Sequence, residues 1–546
     1  MENHKRYKIY IVIFIVTTIV AGILAVYFGI KSNNKYVTDK VDTVATDKNS
    51  TSETKELKEL TNFNYAFLKL ENGKQNKIYS PLSIRYALNM LKEGATGESK
   101  LQISKVIGEP SKEVAKYASS NNMSFANALF VKDTYKDNVK QSYIDALKSK
   151  YDAEVNYDPF TTPENINKWI SDKTFNLINN LLGEIKSEDN FFLVNALGID
   201  MEWKNQFFKY NDEMYPMCHY DHEEFSWFTA TNVTNNKFGE NNLDVSTMQI
   251  AASLNNYDIV SELGEENIVK KVSEEYRKWA KGLTQSDGEV NDIFGGDLSD
   301  ANIEKKLNEY LYGGNYYNNA FYNEENKYEG YMSEIKKNYK QVNKSIDFSV
   351  YTDDKVKVFA KDLKEYNGTT LQYVGIMPTN ESLEKYVENI NEKDINEIIG
   401  NLKELKLENF KKGVITKITG YIPKFKFEYE LNLKNDLNKL GITDVFEKGK
   451  ANLTEFSDDK DLYIGNALHK ANIEFTQEGI KATAATIAGG LGAGGSFDYL
   501  FHVPVEEIDL TFNKPYMFLI RDKANGEVWF TGTVYEPLLW ENEPFK

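Results

Sequence analysis

The apolar and polar positions change rhythm several times along the chain, and each change predicts an element. Ile9 to Ile30 is a run of 22 uncharged, mostly apolar positions. As a helix it would span roughly 33 Å, the thickness of a bilayer core, which predicts a transmembrane segment. Lys31 to about Glu56 is polar with no hydrophobic period and reads as a tether. From Leu57 the period becomes helical, with Leu60, Phe63, Phe67 and Leu70 on one face. In Asn76-Lys-Ile-Tyr-Ser-Pro-Leu-Ser83, Ser80 is placed to cap a helix that starts at Pro81 and carries Ile84, Ala87, Leu88 and Leu91 as its stripe. Glu93-Gly-Ala-Thr-Gly-Glu98 ends that helix.

Thr162–Ile170 predicts a further helix start, and the unbroken run Asn190–Ile199 a buried strand. Phe425, Phe427, Tyr429 and Leu431 alternate with charged residues, the mark of a half-buried strand. Asn525-Gly526 between Phe518–Ile520 and Val528–Phe530 predicts a hairpin. Helices concentrate early and strands late, which predicts an α+β protein.

Composition changes the picture in three ways. A net charge of −17, with only four Arg among 65 basic residues, argues against a nucleic-acid surface. The single Cys218 excludes an intrachain disulfide framework. Lys5, Arg6 and Lys8 before the apolar run, against Lys31 and Lys35 after it, predict an inside N-terminus with the bulk of the chain facing outward. The weak small-residue pattern Ala21–Ala25 leaves cleavage and secretion as the alternative.

The five His do not join a Ser in a nucleophile-elbow motif, so no catalytic constellation is present and the chain does not read as an enzyme. Gly490-Leu-Gly-Ala-Gly-Gly495 fits G-x-G-x-x-G, but Ser496–Pro504 does not start a helix, which excludes a dinucleotide loop. Met214–His222 gathers Met, Cys and His side chains, yet matches no ordinary closed metal site. No cofactor or metal is expected.

The most informative stretch is Phe475-Thr-Gln-Glu-Gly-Ile-Lys-Ala-Thr-Ala-Ala-Thr-Ile487, followed by the Gly/Ala run 488–496: a loop built to become a strand. Together with Tyr79-Ser-Pro-Leu-Ser-Ile84, Val194-Asn195 with Trp203, Ile422-Pro-Lys-Phe425, Leu440-Gly-Ile442 with Asp444–Phe446, Leu468-His-Lys-Ala471 and Gly532-Thr-Val534, it resembles the serpins over about residues 57–537. The resemblance implies helices around a large central sheet plus two smaller sheets, with an exposed reactive-centre loop. It also implies a monomeric inhibitor that traps a serine protease by loop cleavage and insertion, with papain-like cysteine proteases as a further target class. A non-inhibitory binding module is the alternative.

On the loop, the resemblance places the hinge at Gln477, Glu478, Gly479 and Ile480, with Ile480, Ala482, Ala484, Thr486, Ala488 and Gly490 facing inward on insertion. Small inward residues are a physical requirement, because a strand joining a close-packed sheet has no room for bulk or charge. Ile480 and Gln477 depart from the family's habit. The family spacing puts the scissile bond at Ala493-Gly494, which suits elastase-like or subtilisin-like enzymes, while Tyr499, Leu500 and Phe501 would attract chymotrypsin-like ones. The loop is longer than usual by roughly ten residues, with the spare length after the bond. Ser80, Ser83, Asn195 and His469 fall on the family's shutter, and Trp203 on its breach.

Residues 256–344 have no counterpart in that family and read as an insertion, with helices at Glu266–Trp279 and Ala301–Tyr312 and a Tyr/Asn-rich passage, Tyr310–Tyr339. Its tyrosines either pack on one another or form a binding surface. The expected organisation is thus an inside stub with its anchor (1–30), a linker (31–56) and the inhibitor domain (57–546).

Overall fold

In the computed structural model, residues 11–17, 63–108, 117, 119–120, 122–176, 178–187, 189–204, 218–220, 223–225, 233–314, 329–338, 346–465, 467–476, 497, 499, 501 and 504–540 are described. The local signals between residues 63 and 94 work as expected. Lys77–Tyr79 is a short strand, and Pro81–Gly94 is a helix whose cap, Ser80, accepts from the Ser83 N–H. The helix at Phe63–Leu70 also forms, while Leu60 lies outside the described residues.

Four sheets are present among the described residues. The six-stranded sheet runs β15 (Phe425–Asn432), β16 (Leu468–Phe475), β1 (Ile11–Thr17), β5 (Phe191–Ile199), β3 (Met123–Lys132), β4 (Glu154–Asp158). The seven-stranded sheet runs β13 (Lys403–Leu405), β10 (Ile346–Thr352), β11 (Val356–Asp362), β12 (Leu371–Pro378), β18 (Tyr516–Asp522), β19 (Val528–Val534), β2 (Lys77–Tyr79). A four-stranded sheet joins β17 (Val505–Asp509), β14 (Ile415–Pro423), β9 (Leu243–Asn255) and β8 (Val233–Phe238). Cys218–Tyr220 (β6) and Glu223–Phe225 (β7) form a small ribbon. With helices packed around these sheets, the α+β expectation holds.

The unbroken apolar run of β5 is explained by burial on both faces. Phe191, Leu193 and Leu197 face the main core, while Phe192, Val194 and Ala196 face a second cluster with Ile166 and Ile170 of the Glu164–Lys173 helix. β15 alternates as expected, with Phe425 and Leu431 buried and Lys426, Glu428 and Glu430 exposed. The Asn525-Gly526 turn joins β18 to β19, Gly526 supplying a φ of 80°. Gly532 is required by a close approach, since a Cβ there would lie 2.0 Å from the Lys77 carbonyl oxygen of β2.

Ile11–Thr17 departs from expectation. The sequence reading makes it part of a membrane-spanning helix, whereas here it is a strand, antiparallel to both β16 and β5. No helix among the described residues is long and apolar enough to cross a membrane. Ile-Val-Ile-Phe-Ile-Val-Thr is dominated by β-branched residues, which suit an extended backbone, and two strand edges are available to pair it. The same apolar composition serves either use.

Between β9 and β10 in the chain, the described residues 256–314 and 329–338 form a helical layer, with helices at Ile259–Leu263, Glu265–Gly282, Gly288–Asp292, Asp300–Tyr312 and Tyr331–Asn338. The two long helices fall where expected, the first running three residues further. Their buried residues build a core of their own around Ile268, Val272, Tyr276, Ile303, Leu307 and Tyr310. Among the described tyrosines some pack on one another, Tyr310 lying 5.5 Å from Tyr276 and stacking on Tyr331 at 5.2 Å, while Tyr312 is exposed. Residues 315–328 and Tyr339 of the Tyr/Asn-rich passage lie outside the described residues.

Candidate functional site

Four of the expected site residues meet at the start of the Pro81–Gly94 helix. Ser80 accepts from the Ser83 N–H at 3.0 Å, and its own N–H donates to His469 Nε2 at 3.1 Å. The Ser83 hydroxyl donates to Asn195 Oδ1. Asn195 Nδ2 donates to Asn127 Oδ1 at 2.7 Å, and Asn127 Nδ2 to the Tyr151 carbonyl at 2.8 Å. Ser80, Ser83, Asn195 and His469 are all 0% exposed, so water cannot replace a lost partner. Because Nε2 of His469 accepts, a neutral ring carries its proton on Nδ1.

The placement of this network gives it mechanical meaning. His469 of β16 and Asn195 of β5 both stand opposite Ile15 of β1 in the sheet register. The first turn of the helix therefore reaches strands on both sides of β1, which are about 10 Å apart at two inter-strand spacings. Asn127 was not foreseen from the sequence. It faces Asn195 directly across the β3–β5 pairing, a relation that only the register reveals.

Trp203 lies away from that network, at the far end of β16. Its Nε1 donates to the Thr476 carbonyl at 3.1 Å, and its fully buried ring meets Phe475 edge-on at 5.6 Å. Phe475 in turn stacks on Phe425 at 4.9 Å and lies 4.6 Å from Tyr373. The chain is thus held by aromatic packing at the point where the loop departs. Gln477, Glu478, Gly479, Ile480, Ala482, Ala484 and Thr486, together with Ala493 and Gly494, lie outside the described residues.

Beyond the expected scissile bond the chain is in contact with the helical layer, which the sequence reading missed. Phe497 lies 5.0 Å from Tyr276, 5.3 Å from Trp279 and 5.3 Å from Tyr310. Tyr331 Oη donates to the Tyr499 carbonyl at 2.6 Å. Phe501 is 7% exposed, packed in the same cluster and 4.8 Å from the Tyr499 ring. Burial, with Glu275 and Glu274 nearby, pushes the Tyr499 phenol up. Of the residues expected to attract chymotrypsin-like enzymes, Tyr499 is half-buried and Phe501 buried against this layer, while Leu500 lies outside the described residues. The signal was the alternation of aromatics at 497, 499 and 501, which places them on one side of an extended segment.

Among the described residues no group of three or more His, Cys, Asp or Glu could hold a metal. Met214 and His222 lie outside the described residues, and Cys218 and His219 belong to β6.

Comparison with known proteins agrees with this architecture. The family model described as "Serpin (serine protease inhibitor)" matches residues 57–224 and 230–537. Neuroserpin of Mus musculus is 24% identical over 493 residues, covering 87% of this chain and 89% of its own. Leukocyte elastase inhibitor A of Mus musculus is 35% identical over 116 residues, 21% of this chain and 28% of its own. The thermophilic serpin tengpin in its native state superposes with a TM-score of 0.53 at 19% identity, covering 90% of this chain and 96% of that one. Sharing that fold and matching the family model over most of its length, the chain belongs to the serpin family.

Proposed function

We propose that this serpin inhibits serine proteases by a suicide mechanism. The protease's serine attacks the carbonyl of Ala493, the Gly494 amine leaves, and the severed loop enters the six-stranded sheet from its hinge at Gln477–Ile480 with Ala482, Ala484 and Thr486 inward. Elastase-like and subtilisin-like enzymes fit the small residue at the bond, and a relative named leukocyte elastase inhibitor A supports that class. Papain-like cysteine proteases are a second candidate class. The observation that carries the reading is the strand position between β5 and β16, which accepts a strand antiparallel to both neighbours. Ser80, Ser83, Asn195 and His469 act as the shutter over that position, and Trp203 braces the end at which the loop enters.

In this reading Ile9–Ile30 is a signal-anchor that leaves the inhibitor domain outside the cell. A segment in the bilayer cannot also be β1, so membrane capture leaves the strand position free for the loop. The second reading, a non-inhibitory binding module acting through the helical layer, is favoured by the same observation if β1 never leaves.

Incubation with elastase, subtilisin, chymotrypsin and a papain-like enzyme tests the proposal. The expected result is a covalent complex that survives denaturation, with elastase or subtilisin giving the highest yield. Cleavage within Leu491–Ala493 without any complex, and without a rise in melting temperature, would refute inhibition and leave the binding module.

A further inference from the structure

The contact between the distal arm of the loop and the helical layer is too specific to be passive cover. Phe497 inserts among three rings of the layer, Tyr276, Trp279 and Tyr310. Two residues on, the backbone carbonyl of Tyr499 accepts from Tyr331. Phe501 is buried against the same core, which includes Ile415 of β14. The Pro504 carbonyl then accepts from the Ile415 N–H at 2.8 Å, and β17 pairs with β14 in parallel register. Phe497, Tyr499, Phe501 and the stretch Pro504–Asp509 are therefore each held.

We propose that the helical layer is a specificity clamp for the reactive loop, withholding the aromatic residues of the distal arm from proteases and leaving the Gly/Ala run as the cleavable segment. The clamp rests on the reading of residues 477–504 as a reactive loop. A protease binds its substrate as an extended strand and takes the side chain before the bond into a pocket. An aromatic-selective enzyme needs Tyr499 or Phe501 in that pocket, and these rings are engaged by the layer. Cutting there requires the arm to lift off, so its rate follows the population of the opened arm when closing is fast.

The test is limited proteolysis of the full chain by chymotrypsin, with cut sites read by mass spectrometry. Phe497→Ala keeps both aromatic sites but removes the ring that anchors them, and cutting after Tyr499 or Phe501 is expected to rise roughly tenfold or more. Tyr331→Phe removes only the donor to the Tyr499 carbonyl, with an expected rise of roughly fivefold, the fold-change of one neutral hydrogen bond. Its conservative nature keeps the test valid should Phe497→Ala disturb folding. Equal rates after these residues in wild type and in both variants overturn the clamp. Cut position is read whether or not a complex forms. A protein that traps no protease yet shows these rises loses the inhibitory reading and keeps the clamp, and one that traps protease without them does the reverse.

Discussion

Removing the Ser83 hydroxyl and the Asn195 amide, singly and together, measures what the polar network contributes. In Ser83→Ala, Asn195 Oδ1 loses the hydroxyl donor at a site with no exposure, and a cost of about 1–2 kcal/mol is expected. Asn195→Ala strips partners from two buried groups, the Ser83 hydroxyl and Asn127 Oδ1, and deletes side-chain volume between sheet and helix, for about 3–4 kcal/mol. If the two side chains act through each other, the double variant costs less than the sum by about 1 kcal/mol or more. Equilibrium urea unfolding, followed by two spectroscopic probes to check two-state behaviour, gives these values. The network is formed here with a strand between β5 and β16, so weakening it should also disfavour the widened sheet and raise the inhibitor consumed per protease trapped. Additivity within about 0.3 kcal/mol, together with unchanged stoichiometry, would refute the reasoning.

Three further outcomes are expected. Burial pushes the Lys77 ammonium down to about 8, although Glu71 and Glu384 favour its charge, and the residue is 2% exposed. The unfolded chain then holds a proton that the fold has released between about pH 8 and the ordinary lysine value of about 10.4, so stability should rise with pH across that window by at most about 3 kcal/mol. Lys77→Met should abolish that rise, and parallel wild-type and variant curves in urea unfolding would contradict it. Ala484→Arg, which on the proposed register puts a charge inward, should eliminate stable complexes while loop cleavage continues, because the inserted sheet cannot solvate a guanidinium. Undiminished trapping, read on a denaturing gel, would show the inward register to be wrong. Deleting residues 1–35 removes β1 and should speed complex formation roughly tenfold, since strand pairing of about 1 kcal/mol per hydrogen bond is largely offset by ordering costs of about 1–2 kcal/mol per residue. Identical stopped-flow rates for the full and shortened chains would mean that β1 does not compete with the loop.

Where the signals are local, the amino-acid pattern was sufficient. Ser80 before Pro81 predicts a capped helix because cap and turn lie within four residues, and the alternation from Phe425 to Leu431 predicts a half-buried strand because side chains in a strand alternate in direction. Ser80, Ser83, Asn195 and His469 were reached through resemblance, but Asn127 was not, since its link to Asn195 exists only once β3 and β5 are paired in register. The aromatics at 497, 499 and 501 were visible as an alternation, while their partners lie on helices more than 150 residues away. The place of Ile11–Thr17 was set by long-range pairing. An apolar, β-branched run has no intrinsic preference strong enough to choose between bilayer and sheet, and in this structure the facing edges of β5 and β16 pair its backbone hydrogen bonds.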